Sequence, residues 1–147
     1  MKISVGTDHR GLEQKKMILA IAEQCGHSVV DVGTHTTESC DYPDIAKDLG
    51  QSVASGETDL GILICGTGIG MSIAANKVKG IRAAVCNNVD QARLSRQHND
   101  ANVLCIPGDS FEEAAVTELV STWLTTEFEG GRHERRVDKV KQMEEQF

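Results

Sequence analysis

Cys65 stands directly before Gly66-Thr67-Gly68-Ile69-Gly70-Met71-Ser72, and the helical stretch Ile73-Ala74-Ala75-Asn76-Lys77 follows. Glycines at alternate positions let the backbone turn sharply and aim successive N–H groups at one point, a nest for an anion. A thiol beside such a nest and a helix N-terminus has its thiolate favoured and can act as base or nucleophile. The same N–H groups would stabilise an oxyanion, each worth on the order of 3 kcal/mol if it acts as other oxyanion holes do. The loop lacks the GxxxxGK[ST] of a Walker loop, and Met71 falls where a Cys-x5-Arg phosphatase needs arginine. It is not a GxGxxG following a first strand either, so a nucleotide is the weaker ligand. Burial as a small inert hydrophobe is the alternative for Cys65, and the expected state of Cys25, Cys86 and Cys105.

Three further clusters carry polar chemistry. Gly6-Thr7-Asp8-His9-Arg10-Gly11 sets a carboxylate beside an imidazole, either as a helix cap with a solvated histidine or as a binder of sugar hydroxyls or phosphate. Ser95-Arg96-Gln97-His98-Asn99-Asp100 is a polar helix end or a site; His98, expected above the same sheet edge as the other loops, is a candidate proton donor near neutral pH. In Gly130-Gly131-Arg132-His133-Glu134-Arg135-Arg136, the spacing of Val137, Val140, Met143 and Phe147 predicts a helix from about residue 132. Arg132 and Arg136 then share a face, repelling each other by about a few tenths of a kcal/mol, a cost that an anion between them reverses. Two guanidinium forks suit phosphate; a solvated basic patch balanced by Glu134 and Glu144 is the alternative.

The elements that must position these residues follow from the apolar pattern. Runs at Ile3 to Val5, Val29 to Val32, Ile62 to Cys65, Ala83 to Cys86 and Val103 to Ile106 predict five strands buried on both faces. Between them Ile18, Ile21, Ala22 and Cys25 keep helical spacing up to Gly26, and Asp41-Tyr42-Pro43-Asp44 opens a second helix. Val116, Leu119, Val120, Trp123 and Leu124 form a further helical stripe. Strands alternating with helices require crossovers, hence a parallel sheet with helices on both faces and ligands beyond the carboxyl ends of the strands. The 147 residues suffice for one core, and one domain spanning 1–147 is expected, with no linker before Gly130-Gly131.

Charge and composition limit the partners. A formal charge of −7 opposes nucleic-acid binding through bulk electrostatics, and 3% aromatics leaves few stacking platforms for single strands. The longest apolar stretch, around Leu60 to Cys65, falls far short of the roughly 20 residues that span a bilayer, so no membrane is expected. Asp8 and His9 arrive before any signal-like apolar segment, and five scattered cysteines without Cys-x-x-Cys suggest neither disulfides nor a zinc cage. A reduced cytoplasm is the expected location.

Taken together, Gly6 to His9 with Gly11, Asp41-Tyr42-Pro43, Ile64 to Gly70, Ser72 to Lys77, Gly80 to Ala83, Leu94 to Asp100, and Gly130 to His133 with Arg136 resemble the ribose-5-phosphate isomerase type B family. That family also holds allose-6-phosphate and galactose-6-phosphate isomerases. The resemblance covers essentially the whole chain in order. It implies a three-layer α/β/α sandwich with a five-stranded parallel, Rossmann-like sheet, acting as a homodimer with shared active sites, a tetramer being the alternative. It also implies that the C-terminal helix packs at the dimer interface.

For the reaction, the resemblance implies interconversion of ribose 5-phosphate and ribulose 5-phosphate. His98 would assist ring opening, and Cys65 would carry the proton between C2 and C1 through a cis-enediolate held by Gly66, Thr67, Gly68, Ile69 and Gly70. Asp8 and Asn99 would contact sugar hydroxyls, while His9, Arg132 and Arg136 would hold the phosphate. No metal or cofactor is implied, and no coherent metal-ligand set stands out in the sequence. Cys65 with His98 favours ribose 5-phosphate over the galactose-6-phosphate branch, whereas Thr7 and Arg10 depart from the family pattern and bear on which sugar phosphate fits. Allose-6-phosphate or galactose-6-phosphate isomerisation is the neighbouring alternative, and a noncatalytic sugar-phosphate binding module is the alternative of another class.

Overall fold

The structure is a computed structural model that describes residues 1–109 and 112–147. Strands β1 Lys2–Thr7, β2 Ser28–Asp31, β3 Leu60–Cys65, β4 Ala83–Val85 and β5 Val103–Pro107 alternate with helices α1 Leu12–Gln24, α2 Tyr42–Ala54, α3 Ile69–Ala75 and α4 Val89–Asn99. Helices α5 Glu113–Thr125 and α6 Arg132–Gln146 complete the chain. All pairings are parallel, in the order β2-β1-β3-β5-β4. Strand order therefore reverses between β1 and β3, which opens a crevice between the loops that follow them.

Two apolar layers sandwich the sheet. Ile3, Val5, Ile62, Ile64, Leu104 and Ile106 pack against α1 and α5 around the fully buried Trp123. On the other face Leu63, Cys65, Val103 and Cys105 pack against Leu49 of α2 and Met71 of α3. The expectation of strands buried on both faces holds for β3, buried at every position, and for β1 and β5 apart from one end residue each, but it fails for β2 and β4. Both of those lie at sheet edges, where the last strand has a neighbour on one side only; their residues are half-buried or exposed.

Helix ends lie close to the sequence signals. Asp41 precedes α2 with Pro43 in its first turn, and α1 ends before Gly26, whose φ of 87° closes the helix. Helix α3 departs from expectation by starting at Ile69, so Ile69 and Gly70 belong to its first turn and it is seven residues long. The buried Lys15 of α1 is held by Asp31 Oδ1 at 2.8 Å and the Thr34 carbonyl at 2.7 Å. It fastens α1 to the end of β2, the pairing that makes a buried cation tolerable.

Candidate active site

The crevice between β1 and β3 gathers the first group of expected residues. Asp8 and Cys65 are each 5% exposed, and the Asp8 amide donates to the Ile64 carbonyl at 3.3 Å, which sets the two loops side by side. Asp8 does not cap α1. Its Oδ1 accepts from the Arg10 amide at 3.0 Å, and among the described residues Oδ2 has no hydrogen-bond partner. His9 is half-buried, not solvated, and its Nδ1 accepts from the Cys40 amide at 3.2 Å, so the neutral ring carries its proton on Nε2 and presents a donor there.

The glycines of the β3 loop do different jobs. Only Gly68 requires a left-handed backbone, with φ 78°, and it packs against the Ile106 backbone. Gly70 is needed for space, since a Cβ there would lie 2.7 Å from the Tyr42 ring, whereas a Cβ on Gly66 would meet the flexible ends of Arg10, with Nη1 2.5 Å away, and of Asp109. Among the described residues the amides of Gly66, Thr67 and Gly68 have no internal hydrogen-bond partner, so three donors are available beside the Cys65 sulfur. Burial pushes the Cys86 thiol up and the Cys105 thiol far up, which fits them as inert core residues.

His98 corrects the expectation that it stands above the same sheet edge. A helix joining two parallel strands runs opposite to them, so the last turn of α4 lies at the amino ends of β4 and β5; Asn102, three residues past Asn99, bonds Arg82 just before β4. Cys65 lies at the carboxyl end of β3, four residues beyond Gly61, itself paired with Val103 at the start of β5. At about 3.3 Å per residue, about 13 Å of strand separates the two levels. Within one chain the site is thus split in two.

The second half is compact. His98 and His133 stack with centroids 4.1 Å apart and planes within 9°, and His133 Nε2 lies 3.4 Å from Glu129. His98, Asn99, His133 and Arg136 line a pocket of about 510 Å³ with Arg82 and Asn76. Arg132 and Arg136 sit one turn apart at the start of α6 and make no ion pair among the described residues. Glu144, which the alternative of a solvated basic patch set against them, accepts from the Gly80 amide at 3.1 Å. Donor atoms of His98, Glu129 and His133 lie within 4.8 Å of one another. The near-parallel rings direct their in-plane lone pairs side by side and not toward one point, so the set does not suit tetrahedral coordination.

No motif in the sequence marks Glu129 or Asp109 as site residues. Nor does any motif mark the network that fixes the end of α4. Asp100, at φ 47°, binds Arg82 and Arg96, each at 3.1 Å, and Arg96 also donates to the Ala101 carbonyl and covers the Trp123 ring. The one available signal was an aspartate after a helix, a residue type that tolerates the left-handed region.

Known proteins share this fold. The model of the ribose/galactose isomerase family matches residues 3–140. Ribose-5-phosphate isomerase B of Escherichia coli K12 is 46% identical over 144 residues, 98% of this chain and 97% of that protein. Ribose-5-phosphate isomerase B of Clostridium thermocellum superposes with a TM-score of 0.96 at 50% identity over 99% of both chains. The Mycoplasma genitalium ribose-5-phosphate isomerase B, solved with bound ribulose 5-phosphate, gives 0.94 at 41% identity over 99% of this chain and 97% of that one. Among the described residues no helix is long and apolar enough to cross a membrane.

Proposed function

The chain belongs to the ribose/galactose isomerase family, and from that membership we infer that it is an aldose–ketose isomerase interconverting ribose 5-phosphate and ribulose 5-phosphate. The relatives that bear that name support this substrate over allose or galactose 6-phosphate. The enzyme works in the cytoplasm as a homodimer, without metal or organic cofactor, and binds neither nucleic acid nor membrane.

In this reading each active site takes Asp8, His9, Cys65 and the Gly66–Gly70 backbone from one protomer and His98, Asn99, Arg132 and Arg136 from its partner. Ribose 5-phosphate enters as a furanose. His98 takes the proton of the C1 hydroxyl and delivers one to the ring oxygen, and the open aldehyde forms. The Cys65 thiolate removes the C2 proton; the electron pair passes into the C1 carbonyl, and the cis-enediolate is held by the amides of Gly66, Thr67 and Gly68. The same thiol returns the proton to C1 as the C2 oxygen becomes a carbonyl, with Asp8 moving a proton between O2 and O1. Arg132 and Arg136, with His9, bind the phosphate and keep C1 and C2 at the sulfur.

The observation that carries this reading is the placement of Cys65 and His98 at opposite ends of one sheet, which a second copy resolves. Exposed Ile69 and Ile73 on α3 and Val140 and Met143 on α6 supply apolar surface for that contact, and α6 packs at the interface as part of the single domain 1–147. Mixing inactive Cys65→Ala and His98→Ala proteins tests it. Random reassortment makes half of the dimers mixed, each with one intact site, so about a quarter of wild-type turnover returns. No recovery after exchange refutes the shared site, and no ketose from ribose 5-phosphate with wild-type enzyme refutes the substrate.

A further inference from the structure

We propose that Arg10 is a phosphate-binding, specificity-determining residue of this active site, held ready by Asp109 and exchanged from that carboxylate onto the substrate's phosphate. The proposal rests on the sugar-phosphate reading above.

Arg10 is the residue after His9, at the rim of the crevice, and its guanidinium forms an ion pair with Asp109 of the β5–α5 connection. The pair lies over Gly66: a Cβ there would meet Arg10 Nη1 at 2.5 Å and Asp109 Oδ2 at 3.0 Å. The Asp109 amide also donates to the Gly66 carbonyl at 3.2 Å, and the Arg10 amide donates to Asp8. The guanidinium therefore sits within one loop of Cys65, Asp8 and His9 while its own backbone is anchored. Both side chains are about half exposed, at 53% and 42%. Such a pair in contact with water holds weakly and breaks readily.

Charge explains why the exchange is favourable. The carboxyl-end loops of one chain bring Asp8 and Asp109 to the crevice, and an approaching dianion meets their charge. Lys15 cannot answer it, being buried on Asp31. Arg10 can: a phosphate offers a planar guanidinium two parallel acceptors and more charge than a carboxylate does. A sugar without phosphate has nothing with which to displace Asp109, and so leaves the pair closed over Gly66. Arg10 thus adds a cation from the protomer that supplies Cys65 to the two arginines supplied by the partner, and couples phosphate recognition to access at the glycine loop.

The test is steady-state kinetics on ribose 5-phosphate with inorganic phosphate as competitor, on wild type, Arg10→Ala and Asp109→Asn. For Arg10→Ala the expected result is a KM raised about tenfold or more with kcat within about twofold, and phosphate inhibition weakened by the same factor. For Asp109→Asn, which frees the guanidinium, KM and the phosphate inhibition constant should both fall. Unchanged KM and phosphate inhibition in Arg10→Ala would overturn the proposal. So would the two variants behaving alike, with kcat lowered in both, since that describes a tie between loops. If wild type turns over no ribose 5-phosphate, the substrate reading fails separately, and calorimetric titration of wild type and Arg10→Ala with inorganic phosphate still decides the role of Arg10: equal affinity rejects it and weaker binding in the variant supports it.

Discussion

The imidazoles of His98 and His133 lie face to face, 4.1 Å apart and 9° from parallel, so the ring assigned to proton transfer rests on a second ring that is itself 6% exposed. Two cationic rings at that distance repel, and Arg132 and Arg136 stand beside them. His133 accordingly holds a proton less readily than its usual value of 6.5: burial lowers it first, then the positive neighbours His98, Arg132 and Arg136, against the opposite pull of Glu129.

That lowering makes stability depend on pH. The unfolded chain takes up the His133 proton near pH 6.5 while the folded chain resists it, so the unfolded state binds more protons just below that value. Folding stability is therefore full above pH 6.5 and falls as the pH drops below it. His133→Phe keeps a flat ring against His98 and removes the charge. Its melting temperature should decline less than that of wild type between about pH 7 and pH 5, with a residual slope from His27, which burial also lowers. Equal slopes in thermal melts would contradict this account.

Cys65→Ala removes the thiol from a position where the neighbouring side chains are apolar and buried. Turnover should fall by about 10² to 10⁴, the range for loss of a general base, while calorimetric affinity for ribose 5-phosphate stays within about threefold. Binding lost together with turnover would make Cys65 a packing residue.

Asp100 ties Arg82 and Arg96 to the end of α4, and their side chains are only 17% and 14% exposed. Asp100→Ala takes the carboxylate from two guanidinium groups, which keep only backbone carbonyls, and puts alanine in a left-handed backbone, so urea denaturation should report a loss of about 3 kcal/mol. Because this turn carries His98, kcat should fall as well. Asp100→Asn, which keeps an acceptor and tolerates the conformation, should lose less of both.

Gly68→Ala combines a φ of 78° with a Cβ 3.1 Å from the Ile106 carbonyl carbon. A cost of about 1–2 kcal/mol is expected from the backbone alone. The loss in kcat should exceed what that destabilisation explains at assay temperature, since the turn aims the amides of Gly66 and Thr67. Retained kcat in a destabilised protein would mean that those amides do not meet the reacting oxygens.

Much of this organisation is legible in the residue order. Five apolar runs, Gly26, Asp41-Pro43 and the spacing of Val137 to Phe147 mark elements correctly because each signal is local, set by periodicity or by a capping requirement. Asp8, Cys65 and the glycine loop could be gathered by the rule that ligands meet the carboxyl ends of parallel strands. His98 was misplaced for want of one further step, the reversal of direction that any crossover helix undergoes. Lys15 with Asp31, Arg10 with Asp109, and His98 with His133 were out of reach, since each pairs side chains from distant elements whose meeting depends on how helices settle against the sheet. Half-burial of β2 and β4 depended likewise on strand order, which no single strand encodes.

The shortness of the outer strands limits how copies of this chain can join. Four residues in β2 and three in β4 leave little backbone to template another sheet. In the proposed homodimer this steers assembly away from strand addition, which has no natural end point, and toward helix surfaces, where a two-fold contact closes on itself and stops at a finite particle.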